Sequence, residues 1–339
     1  MSVRFFNPAL TYKRFKGEFD EAYFRVMEGG DLILRKDVED FEKTLAEFVG
    51  TKYAVSLNSG TDALYLALRA LKVGQGDTVL VPSRTFVATA QVVKQVGAEP
   101  VYYDLDGTSE YTDDLAAIIP VHIEGAIDTH FDEMLALAER LNIPVIEDAA
   151  QALGATHNGK QAGSFGVAGC FSFYPAKILG AFGDAGGLCT NDEEMYRYVK
   201  DGRNHFKEDA RDWGVNSRLD NLQAGFLNVR FKRIDWMLAR RKQIAEMYRD
   251  GLVGLELPLH TEGRVWQDYI VRTTRRDELF VFLKARGVET LKNNYPFPVP
   301  KLPLAQQYED ETLRLPNNEN LTDGEIKEVI KNVNEFFNL

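Results

Sequence analysis

Cysteine is nearly absent from this sequence. There are two, Cys170 and Cys189, in or beside apolar strand-like segments and without metal-ligand spacing. That excludes a disulfide scaffold and a structural metal centre, and leaves two buried free thiols. Excess positive charge is also lacking. Forty Lys and Arg against 51 Asp and Glu give a formal charge of −11, with no run of basic residues, which argues against nucleic acid as a partner. No apolar stretch approaches the roughly 20 residues of a membrane span. The opening MSVRFFNPALTYKRFKGEFDEAY has neither the apolar middle nor the small-residue cleavage site of a secretion signal, so no membrane partner and a cytoplasmic location are expected. Internal repeats and low-complexity segments are missing too.

What remains is an ordinary globular composition, 45% hydrophobic and 27% charged over 339 residues, enough for roughly two domains and a large core. Val38, Phe41, Leu45 and Phe48 recur at helical spacing before Gly50, a plausible stop. KYAVSLNSG then reads as a strand entering a polar turn, and Leu64, Leu68 and Leu71 mark the following helix. DTVLVPS is a second strand, VATAQVVKQVG a helix and AEPVYYDLD a third strand. This alternation predicts an α/β fold with a mostly parallel central sheet flanked by helices. AAIIPVHIEG, FDEMLALAERLN and NIPVIEDAA continue it. ILGAFGDAGGLCTND predicts a tight loop and a returning strand, with a helix starting near Asp192. One long amphipathic helix is expected through Leu219, Leu222, Phe226, Val229 and Ile234. Beyond it the texture changes to short strands and helices, which predicts a larger domain over residues 1–238 and a smaller α+β domain over 239–339.

Candidate chemistry gathers at the strand ends. Val145 and Ile146 end a buried strand, so Glu147 and Asp148 fall at its carboxyl edge, where open α/β sheets bind ligands. Lys177 follows a second apolar run, Phe171 to Tyr174. In one sheet the two can converge: a carboxylate facing a ring nitrogen and a lysine near an aldehyde are the groups that pyridoxal phosphate chemistry requires. Ser59-Gly60-Thr61 between strand and helix suits a phosphate, because free N–H groups and the helix dipole favour an anion there, although such a serine is commonly just a cap. Phe86 lies beyond a strand end at the same edge, as core packing or as a ligand contact. His122 is read either as a ligand contact or as a structural histidine.

With these residues in hand the sequence resembles the DegT/DnrJ/EryC1/StrS family of sugar aminotransferases, which have the type I fold of pyridoxal-phosphate-dependent transferases. The pieces are FEKTLAEFVGTKYAV, SGTDALYLAL, VPSRTFVATA, IIPVH, VIEDAAQALGA, GSFGVAGCFSFYPAK, GDAGGLCTND, NSRLDNLQAG and LTDGEIKEVI, in the family's order. The resemblance implies that Lys177 carries the cofactor and that Asp148 pairs with its pyridine nitrogen. It implies that Phe86 stacks on the ring with Ala150 on the other face, that Gln151 lies near the ring hydroxyl, and that Gly60, Thr61 and Ser172 hold the phosphate. Asn216 would arrive from the second subunit, making a homodimer with a shared site. The implied reaction moves an amino group from L-glutamate to a keto-sugar linked to a nucleoside diphosphate, in a ping-pong cycle. Arg84, Arg218 and Tyr295 are substrate-side candidates, with Arg35 and Lys36 as further basic groups for a diphosphate.

The sequence departs from the family's pattern in three places. The stretch between Asp104 and Ile118 is about one helix short, Ile123-Glu124 replaces a leucine-tyrosine after PVH, and Asn293-Asn294 precede Tyr295 where a histidine is common. Rival readings are a sugar dehydratase on the same fold, in which a histidine replaces the lysine, an aminocyclitol aminotransferase, and a non-catalytic regulator. Lys177 argues against the first; Asp148 and Lys177 together argue against the last.

Overall fold

A computed structural model describes residues 2–292, 300 and 302–338. Helices α1 (Pro8–Arg14), α2 (Lys16–Gly29) and α3 (Lys36–Val49) precede the sheet. The chain then runs through β1 (Tyr53–Leu57), α4 (Gly60–Ala70), β2 (Thr78–Pro82), α5 (Val87–Gln95), β3 (Glu99–Tyr103), β4 (Leu115–Ile118), α6 (Phe131–Leu141) and β5 (Ile146–Asp148). Strands β6 (Ala168–Ser172) and β7 (Gly186–Thr190) and helices α7 (Glu193–Gly202), α8 (Asn221–Phe231) and α9 (Ile234–Gly251) complete this part. The second part holds β8 (Tyr269–Arg272), α10 (Arg276–Ala285), α11 (Pro303–Glu311), β9 (Thr312–Leu315) and α12 (Asp323–Phe337).

Strand order in the main sheet is β3-β2-β4-β5-β6-β7-β1, with β4 and β5 joined by the parallel bridges Ile118–Val145 and Val121–Asp148. Every pairing is parallel except the two made by β7. The segment between β6 and β7 carries no helix and cannot make a crossover, so the chain returns antiparallel, as the glycine-rich loop predicts. Side chains alternate between two apolar layers. Val55, Cys170 and Leu188 pack with α4, α5 and α7, while Ala54, Phe171 and Cys189 pack with α3 and α8. Both cysteines are buried free thiols, and burial pushes both thiol pKa values up. Helix α3 ends at Gly50, whose φ of 81° is the left-handed stop its position predicts.

The long helix expected through Leu219 to Ile234 is two. Leu219 precedes α8, and the ladder breaks at Lys232-Arg233, where Arg233 takes φ −123°, ψ 15°. There the Arg233 guanidinium donates to the Val229 carbonyl (2.7 Å) and stacks on Phe15. Helix α9 runs through residue 238: Ile234 and Met237 pack in the main core, while Ile244, Ala245 and Tyr248 pack in a second core with Trp266, Tyr269, Leu279 and Val329. Val3 belongs to that second core, paired with Val288. The connection from β3 to β4 crosses β2 without a helix, as the short 104–118 stretch suggests. In compensation, the Asp104 carboxylate accepts from the N–H groups of Leu304 and Ala305 (both 2.9 Å), placing an acid at the positive end of α11. No described helix is long and apolar enough to cross a membrane, and no cluster of His, Cys, Asp and Glu that could hold a metal ion occurs among the described residues.

Candidate active site

A cavity of about 770 Å³ opens at the carboxyl edge of β2, β5 and β6. It brings together Gly60, Thr61, Phe86, Asp148, Ala150, Gln151, Ser172 and Lys177, with Arg84 on its wall. Asn216 and Arg218 do not line it: Asn216 is exposed, and Arg218 donates to the Asn204 amide oxygen (2.9 Å). Tyr295, with Asn293 and Asn294, lies outside the described residues. Arg35 and Lys36 pair with Asp31 and Asp40 on the surface.

The neighbouring carboxylates of β5 have opposite environments. Glu147 is fully buried and accepts the N–H groups of Gly163 (2.7 Å), Phe165 (2.7 Å) and Gly166 (2.8 Å), and lies 3.0 Å from His122 Nε2. His122 Nδ1 accepts from the Asp128 N–H (3.2 Å), so Nε2 carries the proton and donates to Glu147. His122 is therefore a structural residue, holding the β5 edge rather than a ligand. Among the described residues Asp148 accepts only from the Thr89 hydroxyl (2.8 Å) and, more weakly, the Ala150 N–H (3.2 Å). Burial raises its pKa above the ordinary carboxylate value, against the pull of Thr89, Ala150, Lys177 and His122. A buried carboxylate in this state calls for a cation against it.

Lys177 stands on the turn after β6, its N–H bonded to the Tyr174 carbonyl (2.8 Å). Among the described residues no hydrogen bond or ion pair holds its ammonium. Burial pulls its pKa down to about 8, with Asp268 opposing and Arg314 assisting. An amine near half-neutral at mildly alkaline pH can attack an aldehyde and can take or give a proton. At the third corner, α4 starts at Gly60 behind the Ser59 cap, whose hydroxyl accepts from the Asp62 N–H (3.1 Å). A Cβ at Gly186 would sit 2.4 Å from the Gly60 nitrogen, so only glycine lets β7 approach this turn. Ser172 lies against it, its hydroxyl accepting from the Tyr174 N–H (3.3 Å). Phe86 precedes α5 and is 53% exposed, on the cavity wall. The Gln151 amide oxygen accepts from the Glu124 N–H (2.9 Å), leaving its NH2 group to offer.

Further residues stand on or beside the cavity wall. Glu124, at φ 60°, is buried and paired with Arg84 and, at 3.6 Å, with Arg264, so Arg84's charge is already neutralised; its guanidinium stacks 3.9 Å from the Tyr308 ring. Asp268 and Arg314, 3.2 Å apart, enter from the second part of the chain, as does Gln267. Thr89 on α5 could have been found only as a hydroxyl on the helix face nearest the strand ends.

Such a set, a buried acid short of its counter-charge, an amine with a lowered pKa and a helix start open to an anion, matches the three polar ends of a phosphorylated pyridine aldehyde. Comparison with known proteins agrees. Residues 13–334 match the DegT/DnrJ/EryC1/StrS aminotransferase family. The chain belongs to that family. It is similar to a Pseudomonas aeruginosa UDP-2-acetamido-2-deoxy-3-oxo-D-glucuronate aminotransferase, 38% identical over 89% of this chain and 88% of the relative. A dTDP-3-amino-3,4,6-trideoxy-alpha-D-glucose transaminase of Streptomyces venezuelae is 36% identical over 98% of this chain and 96% of its own. The crystal structure of S. venezuelae DesV in complex with a ketimine intermediate superposes with a TM-score of 0.93, at 36% identity, covering 100% of this chain and 99% of that one. The fold is thus that of the aminotransferases of this DegT/DnrJ/EryC1/StrS family, the type I architecture that the sequence resemblance implies.

Proposed function

We propose that this DegT/DnrJ/EryC1/StrS aminotransferase binds pyridoxal 5′-phosphate at the cavity and transfers an amino group from L-glutamate to a nucleoside-diphosphate-linked keto-sugar. The observation that carries the reading is the convergence of Asp148 and Lys177 in one cavity. The relatives that act on UDP- and dTDP-linked sugars support the acceptor class. When bound, the cofactor supplies an electron sink for the substrate carbon.

The chain's residues do the rest. The Asp148 carboxylate would keep the ring nitrogen protonated, and its burial would strengthen that pairing. Thr89 and the Ala150 N–H fix the carboxylate's orientation. The Lys177 Nζ would hold the cofactor and, as a free amine, would take and give a proton at the reacting carbon of the substrate. Gly60, Thr61 and Ser172 would receive the phosphate at the start of α4, while Phe86 and Ala150 would cover the ring. Gln151 donates toward the ring oxygen. Asn216 acts across a homodimer, in a cytoplasmic enzyme, and Arg84 and Arg218 serve the acceptor side.

The test is an absorption spectrum of the protein with pyridoxal phosphate before and after glutamate. The reading requires a band near the visible edge that moves to shorter wavelength on adding glutamate and returns with a nucleotide keto-sugar. No band, or a band indifferent to glutamate and to every such sugar, overturns it.

A further inference from the structure

Lys177 must present its amine at one place, yet it stands on a turn rather than on a strand. One side chain spans that turn. The Gln267 amide oxygen accepts from the Ile178 N–H (2.9 Å) and its NH2 group donates to the Ala176 carbonyl (3.0 Å), so a single side chain grips the backbone on both sides of Lys177. Gln267 is buried, 6% exposed, and enters just ahead of β8, from the second part of the chain.

Its own backbone is held in turn. The Gln267 carbonyl accepts from Arg241 Nη1 (3.0 Å), Arg241 Nη2 donates to Glu319 (3.1 Å), and Glu319 accepts from Arg230 Nη2 (3.0 Å). Arg230 then donates to the carbonyls of Ile178 (3.0 Å) and Gly180 (2.7 Å), returning to the lysine segment. The circuit is closed, and Arg230, Arg241 and Glu319 are each at most 5% exposed. A buried Arg–Glu–Arg set contributes little net stability compared with apolar packing, but it fixes directions. Here the direction it fixes is that of the peptide units flanking Lys177.

We infer that Gln267 is a positioning residue for Lys177, and that the Arg230–Glu319–Arg241 set locks it, so the second part of the chain sets the placement of the reactive amine. The inference rests on Lys177 being the amine that holds the cofactor. Backbone units gripped on both sides keep the amine buried in one geometry; release lets the turn relax toward water.

The test compares the parent with Gln267→Met, which keeps the length and removes donor and acceptor, and with Gln267→Asn, whose amide is one methylene too short to bridge. In cofactor-free protein, acetylation of each lysine by an N-hydroxysuccinimide ester is followed by peptide mass spectrometry against pH. Lys177 of the parent should react with a midpoint near 8. In both variants that midpoint should move up to about 9, about a fivefold loss of reactive amine at pH 8, with the other lysines unchanged. In the loaded enzyme kcat for the glutamate half-reaction should fall about 10- to 100-fold while KM changes less than about threefold. A Gln267→Met protein with the parent's midpoint and kcat overturns the inference; if it does not fold, the same result in Gln267→Asn does. Borohydride trapping of pyridoxal phosphate in the parent separates the two readings. Capture at a lysine other than Lys177 rejects the functional assignment, whereas capture at Lys177 with unaltered Gln267 variants rejects only the positioning role.

Discussion

The lowered pKa of Lys177 is also a statement about stability. Free lysine keeps its proton to 10.5, but burial pulls the folded value down to about 8. Between those values the unfolded chain binds a proton that the folded chain has released. Stability therefore rises with pH across the window from 8 to 10.5 and is lost again as pH falls through 8. The full gap corresponds to about 3 kcal/mol of cost for burying the ammonium at neutral pH. Lys177→Met removes the charge and keeps most of the apolar stem. In cofactor-free protein it should be more stable than the parent by about 3 kcal/mol at pH 7, and that advantage should shrink by about 1 kcal/mol at pH 9. Urea denaturation of both proteins at the two pH values measures the difference, with titrations elsewhere cancelling in the comparison. Pyridoxal phosphate should then reverse the ranking, because it stabilises only a fold that can hold it, by about 4.1 kcal/mol at a thousandfold excess over Kd. A Lys177→Met protein no more stable at pH 7, or an advantage that does not narrow with pH, would show that the amine is not buried charged, and the argument for its reactivity would go with it.

Asp148→Asn keeps the shape and removes the charge, and should cut turnover by about 10²-fold or more; near-normal kcat sinks the electron-sink role. Thr89→Val takes away the hydroxyl that holds the Asp148 carboxylate down, so its pKa, already raised by burial, rises further and the acid limb of the kcat profile moves to higher pH. A limb that stays in place removes Thr89 from the site. Asn216→Ala should weaken retention of pyridoxal phosphate while leaving the protomer's thermal stability unchanged, since Asn216 is exposed on a single chain; unchanged affinity in equilibrium dialysis counts against a site shared between subunits.

Much of the fold and half of the site were legible for physical reasons. An apolar run ending in Glu147-Asp148 reads as a buried strand delivering acids to an edge, and strand–helix alternation implies parallel pairing. The glycines before Leu188 announced a return too short for a crossover, hence the antiparallel β7. How far the environments of the two acids differ was not written in β5. Glu147 is saturated by three backbone N–H groups and His122, contacts that depend on how the 163–166 turn folds back, whereas Asp148 is left short of partners. Periodicity overran the helix break at Arg233, because the break is held by a side chain reaching back to the Val229 carbonyl and across to Phe15 rather than by proline or glycine.

The least legible layer is the one that aims the reactive groups. Thr89 meets Asp148, and Gln267 meets Ala176 and Ile178, across long separations in sequence, so neither leaves a trace in spacing or composition. Both contacts nonetheless follow one rule: a charge placed where water cannot reach it must have its backbone and its lone pairs held by groups from elsewhere in the chain. For Asp148 that group is on the neighbouring helix of the same sheet. For Lys177 it comes from the second core, through a ring of buried charge that passes along α9 and back to Ile178 and Gly180. Helix α9 packs in both cores. The element that carries Arg241 is thus itself anchored on both sides of the buried ring.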